Sequence, residues 1–334
     1  MFVDACENDT FRVTLFTARN YGIYVERLDQ CNNLLLFISV QLEELKVRMF
    51  SNFITKHKLQ ESFLETAQQY YIPLAEQLKK HHDGAKETFY VGINGCQGSG
   101  KSTLAEFLKD YLENKYALSV VVLSLDDFYL SQSQRLAMSV KIHPLFKTRG
   151  VPGTHNIQQI KQVLAELAKP DKLIAIPRFD KSTDNPFPQN KWPIVKTPVD
   201  IVIFEGWCWG VTAQAENKLS SPINTLEQKQ DELGVWRSFV NRQLKQHYQP
   251  LYEVMDYWIM LKAPSFEHVY GWRLEQEQKL ANGLMNAEQI RSFIQYYQRL
   301  TEHALASLPA VCDQVFTLDP QRSVTAIKMA AKND

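Results

Sequence analysis

Gly95-Cys-Gln-Gly-Ser-Gly-Lys-Ser102 lies between the apolar run Thr88-Phe-Tyr-Val-Gly-Ile93 and the helix-forming Thr103-Leu-Ala-Glu-Phe-Leu-Lys109. This order of strand, glycine-rich loop and helix is the context in which Gly-x-x-x-x-Gly-Lys-Ser works as a phosphate cradle, the Walker A pattern. Glycines let backbone N–H groups converge on phosphate oxygens. The spacing assigns the nucleotide to Gly95, Cys96, Gln97, Gly98, Ser99, Gly100, Lys101, Ser102 and Thr103, with Lys101 reaching the β and γ phosphates and Ser102 binding Mg2+. Cys96 sits where a helix N-terminus and a cation would lower a thiol pKa, which raises the idea that its oxidation gates nucleotide entry.

Outward from this loop, short apolar runs alternate with helical stretches, the pattern of a parallel sheet covered by helices on both faces. The expected strands are 88–93, 120–125, 172–176, 199–204, 257–261 and 314–318. Two carry carboxylates at their carboxyl ends, the edge where open α/β sheets bind ligands. In Val120-Val-Val-Leu-Ser-Leu-Asp126-Asp127, one carboxylate would accept a proton from an attacking hydroxyl, while the other caps a helix or holds a metal-bound water. In Ile201-Val-Ile-Phe-Glu205-Gly206, Glu205 fits the Walker B role beside Mg2+.

Long interruptions at 131–154 and 177–198 break the rhythm, and segments of that length usually hold a ligand or are disordered. Arg149, Arg178 and Lys181 stand there as cations suited to a small carboxylate or phosphate group. His155, following Pro152-Gly-Thr154, is the one histidine that stands apart. Ser265 to Gly283 reads as a capped helix in which Arg273 and Glu277 share a face. That pattern allows either an i, i+4 ion pair or a lid whose Arg273 closes on the transferring phosphoryl group.

The 334 residues carry 37 Lys plus Arg against 37 Asp plus Glu, so bulk charge favours neither nucleic acid nor an acidic membrane surface. A small-molecule partner is the expectation. Five scattered cysteines without a Cys-x-x-Cys pair argue against a disulfide framework or zinc site and for a reducing cytoplasm. The run Leu34–Ile38 is far shorter than the roughly 20 residues of a membrane span. Residues 1–48 read as an appendage before a single domain over 49–334, and Met49 as a natural start; intact mass of protein made from its own chromosomal locus tests that start.

Taken together, "GCQGSGKST", "SLDDFYL", "TRGVPGTHN", "IPRFDKS", "FEGWCWG" and "YGWRLEQE" resemble, in that order, the plant-type D-glycerate 3-kinases and their microbial relatives. Those belong to the P-loop kinases, with uridine kinase, phosphoribulokinase and bacterial pantothenate kinase. The likeness runs from about residue 70 to the end. It implies a three-layer α/β P-loop fold with a mainly parallel central sheet and a helical lid, and Mg-ATP-dependent phosphorylation of the 3-hydroxyl of glycerate. It makes Asp126 the base, sets Glu205 near the metal, groups Asp127, Tyr129, Arg149, His155, Arg178 and Lys181 around the acceptor, and puts Arg273 on the lid. The chloroplast address of the plant enzymes has no counterpart in residues 1–48. A kinase for a nucleoside or pantothenate-like alcohol and a nucleotide-binding regulatory ATPase are the alternatives.

Overall fold

The computed structural model describes residues 2–6, 10–14, 50–85, 87–278 and 285–330. Its centre is a six-stranded sheet in the order Val324–Met329, Gln314–Leu318, Tyr257–Lys262, Phe89–Gly95, Ile201–Gly206, Val120–Ser124. All neighbours are parallel except the outer pair Gln314–Leu318 and Val324–Met329, which is antiparallel.

Strand residues alternate between two cores, as the period of two demands. Phe89, Val91 and Ile93 point into one core with Ile201, Ile203, Ile259 and Leu261, whereas Tyr90, Val202, Phe204 and Met260 enter the other. The first core is covered by Ile72–Gly84 and Lys101–Tyr116, which contribute Leu74, Leu78, Leu104, Phe107 and Leu108. The second is covered by Ile157–Leu167, Val235–Gln243 and Ala287–Ser307 through residues such as Ile160, Leu164, Val240, Tyr297 and Leu300. Burial on both faces explains why the central strands read as unbroken apolar runs. Pro73 falls just after the π-helical turn Ala67–Tyr71, where one helical segment runs on into Ile72–Gly84, rather than at a free helix start.

Five expected strands join the sheet and one does not. Leu173–Ala175 pairs antiparallel with Ile194–Lys196 in a separate two-stranded ribbon, with Leu173 and Ile194 exposed. The sixth sheet strand, Val324–Met329, lies at the edge and is mostly exposed, so it lacks the apolar run that marks the others.

The interruptions are ordered. Within 131–154, Gln132–Lys141 is a helix whose Ser131 and Gln134 form a reciprocal capping box. Within 177–198, Phe179–Asp180 and Asn185–Pro186 form a short hairpin. Of the first 48 residues only the backbone pairing of Phe2–Cys6 with Thr10–Thr14 is described. Met49 and the far end of the expected 265–283 lid lie outside the described residues; the lid's helix runs Phe266–Gln278.

Candidate active site

Register sets the site. Glu205 lies opposite Ile93 on one neighbouring strand and opposite Ser124 on the other, so the glycine-rich loop, Glu205 and the Asp126–Asp127 pair emerge at one sheet edge.

Gly98 and Gly100 adopt left-handed φ values of 79° and 93°, which an L side chain resists. A Cβ on Gly98 would also stand 2.6 Å from Trp272 Cβ, so the Phe266–Gln278 helix rests directly on the loop. The ladder of Lys101–Tyr116 starts with Leu104 N–H donating to Gly100 O at 2.9 Å. The N–H groups of Lys101, Ser102 and Thr103 therefore precede the ladder, the arrangement that receives anions.

Ser102 Oγ donates to Glu205 Oε1 at 2.8 Å, and Lys101 Nζ lies 3.6 Å from Glu205 Oε2. Glu205 is 3% exposed, and among the described residues its Oε2 has no hydrogen-bond donor. Burial alone would depress the Lys101 pKa, but the Glu205 and Asp126 carboxylates outweigh it and hold the ammonium above its ordinary value.

Across the edge, Asp126 Oδ2 accepts from Lys181 Nζ at 2.7 Å and Oδ1 from Tyr129 OH at 2.9 Å. Burial would raise this carboxyl; Lys181 and Lys101, with those two hydrogen bonds, hold it well below the usual carboxylate range. Asp127 turns the other way. Its Oδ1 accepts from Phe179 N–H and its Oδ2 from Arg178, both at 3.2 Å, and burial pushes it up to about 6 despite Arg178. The adjacent carboxylates thus divide: Asp126 is ionised at the edge, and Asp127 anchors the hairpin.

Comparisons with known proteins bear on the fold and the activity. No protein-family model matches the chain. The uncharacterized kinase mug58 of Schizosaccharomyces pombe is 34% identical over 231 residues, 66% of this chain and 82% of that protein. The chloroplastic D-glycerate 3-kinase of Arabidopsis thaliana is 26% identical over 249 residues, 68% of this chain but 52% of the plant protein. Among solved structures, the D-glycerate 3-kinase of Cryptococcus neoformans superposes with a TM-score of 0.65 at 28% identity, covering 79% of this chain and 98% of that one. The chain belongs to the glycerate 3-kinase-like P-loop kinases. It is an ATP-dependent kinase of a small molecule.

In this kinase every cation expected around the acceptor is already paired. Arg149 NH1 bonds Asp184 and its guanidinium lies 5.6 Å from the Phe179 ring centroid. Arg178 holds Asp127 and Lys181 holds Asp126. Arg135, absent from the expected set, is 1% exposed and ties the hairpin down through Asp184 Oδ2 at 2.5 Å, with Leu130 O at 3.2 Å and Lys147 O at 2.9 Å.

His155 is 4% exposed and stacks on Tyr129 with centroids 4.6 Å apart. Its Nδ1 lies 2.6 Å from Tyr248 OH, and burial brings its pKa down to about 3, so it is neutral. Its loop is braced from behind, where Tyr297 OH donates to Arg149 O at 3.2 Å and Trp207 Nε1 donates to Gly150 O at 3.1 Å. Tyr248, Tyr297 and Arg135 act at long sequence separation and carry no local motif.

One expectation changes. Cys96 is 5% exposed and burial pushes its thiol up to about 12, opposite to the lowered pKa that redox gating requires. Arg273 donates to Glu277 Oε2 at 2.8 Å, the i, i+4 pair of the simpler reading, although Glu277 is buried rather than on the surface.

Proposed function

We propose that the kinase transfers the γ-phosphoryl group of Mg-ATP to the hydroxyl of a small acid, D-glycerate, giving 3-phosphoglycerate. The observation that carries this reading is the Asp126–Lys181 pair. Lys181 is exposed, sits 2.7 Å from an ionised carboxylate, and belongs to a hairpin anchored on the Asp126–Asp127 turn. An acceptor carboxylate competes with Asp126 for Lys181. An acid that takes the ammonium leaves Asp126 free to receive its hydroxyl, which a neutral alcohol cannot do.

Mg2+ fits the donor set: a hydroxyl and a buried carboxylate oxygen without a donor, both hard oxygens, beside the phosphates. Held by Ser102 and Glu205, the ion would neutralise charge on the β and γ phosphates. Lys101 and the loop N–H groups bind and orient the triphosphate. Asp126 aims the acceptor hydroxyl, which is the main protein task in a loose phosphoryl transfer. Arg149, His155, Arg178 and Lys181 take the acid, Asp127 and Tyr129 fix the hairpin and Asp126, and Arg273 on its helix covers the transfer. Balanced charge and unpaired Cys96, Cys208 and Cys312 support a cytoplasmic enzyme working without nucleic acid.

ADP release with D-glycerate, L-glycerate, uridine and pantothenate as acceptors tests the reading. Turnover confined to D-glycerate is expected; turnover on uridine or pantothenate alone would discard the acid.

A further inference from the structure

The loop between the last two strands carries an arginine where hairpins favour glycine. Asp319 N–H donates to Ser323 O at 2.9 Å and Arg322 N–H to Asp319 O at 3.0 Å, while Asp319 Oδ1 accepts from Gln321 and Ser323 N–H, both at 2.8 Å. This places Arg322 at φ 71°, the left-handed position that such a turn usually gives to glycine. A long cationic side chain held there against its backbone preference raises the question of its task.

That task is visible. Arg322 Nε donates to Gly98 O at 2.7 Å, its NH2 donates to Glu275 Oε2 at 2.6 Å, and its guanidinium lies 5.2 Å from the Trp272 ring centroid. Trp272 Nε1 in turn donates to Pro320 O in the same turn at 2.8 Å. One residue therefore joins the glycine-rich loop, the Phe266–Gln278 helix and the edge hairpin. The peptide plane between Gly98 and Ser99 is pinned at both ends, because Ser99 N–H donates to Cys96 O at 3.2 Å. Gly98, with a positive φ and no Cβ, can flip its peptide more readily than a residue that carries a side chain. A flip would turn a carbonyl oxygen where phosphate oxygens are received.

We propose that Arg322 is a positioning residue for nucleotide binding, holding the Gly98 carbonyl away from the phosphates and fixing the lid helix against the loop. The inference rests on the reading of Gly95–Ser102 as the ATP site.

The test uses the full chain and calorimetric titration with Mg-ATP, with no acceptor present. Arg322→Gly is expected to bind ATP about tenfold more weakly, since a charge-assisted hydrogen bond is lost. Its Tm should stay within a few degrees of the parent because the backbone strain is relieved, and in turnover KM for ATP should rise while KM for the acceptor stays within about twofold. Parental ATP affinity in Arg322→Gly, or equal losses toward ATP and acceptor, would overturn the proposal. If that variant does not fold, Arg322→Lys decides, since one ammonium cannot reproduce the two-partner fork: at least threefold weaker ATP binding is expected, and unchanged binding overturns the proposal. Lys101→Met separates the premise from the inference. If Lys101→Met binds ATP like the parent, the phosphate-loop reading itself has failed; if it loses ATP while the Arg322 variants do not, only the Arg322 inference has.

Discussion

Replacing Glu205 by Gln removes one charge from the best-enclosed part of the site while leaving an oxygen for the Ser102 hydroxyl 2.8 Å away. At 3.6 Å from Lys101, and with an effective dielectric constant of about 20, the lost attraction is about 4–5 kcal/mol. Relief of the carboxylate's own desolvation offsets much of that, so the net loss in the nucleotide-free protein should be about 1–3 kcal/mol. At roughly 2–4 °C per kcal/mol this lowers Tm by about 2–12 °C. Binding should respond with the opposite sign. Without metal, ATP meets one negative charge fewer and a less engaged Lys101, so metal-free affinity should hold or rise. The free Mg2+ needed for half-maximal ADP release should increase about 10–100-fold, the usual cost of losing a group that orients a metal's surroundings. Thermal unfolding of nucleotide-free protein and ADP release against free Mg2+ read both effects. An unchanged Tm together with an unchanged Mg2+ requirement would refute the role given to Glu205.

Two further outcomes follow from the same edge. Asp127 has its folded pKa raised to about 6 from an ordinary value near 4, so its neutral form favours folding; that contribution is full below about pH 4 and is lost as pH rises through about 6. Asp127→Asn cannot lose it, and its Tm relative to the parent should climb between pH 4 and 7; a difference that stays flat with pH would contradict the assignment. Cys96, buried and with its thiol raised to about 12, should resist alkylation in the folded protein at pH 8, and rapid labelling at that position would show that the loop opens.

Those parts of the site that depend on neighbours along the chain are legible in the amino-acid sequence. Gly95–Ser102, Glu205 and the Asp126–Asp127 pair each combine a strand end with residues a few positions away, and parallel pairing brings strand ends to one edge. What the sequence hides depends on distance. Arg135 reaches Asp184 across 49 positions, and Arg322 reaches Gly98 across 224. The 172–176 run resembles a sheet strand because a short apolar run carries no signal of which sheet it joins, and Val324–Met329 escapes notice because an edge strand with a solvated face needs no apolar run. The cations at Arg149, Arg178 and Lys181 are legible as a group, but their pairing with Asp184, Asp127 and Asp126 is not. That pairing changes the chemistry, because the acceptor must compete for a cation rather than meet a free one.

The most direct test of the account is Asp126→Asn, assayed for both turnover and ATP binding. Asparagine keeps an acceptor for Tyr129 but cannot orient and relieve the attacking hydroxyl, so kcat should fall by about 10²–10⁴-fold while the Kd for Mg-ATP changes little. Turnover close to the parent, or loss of turnover explained by loss of ATP binding, would contradict the placement of the acceptor hydroxyl at Asp126.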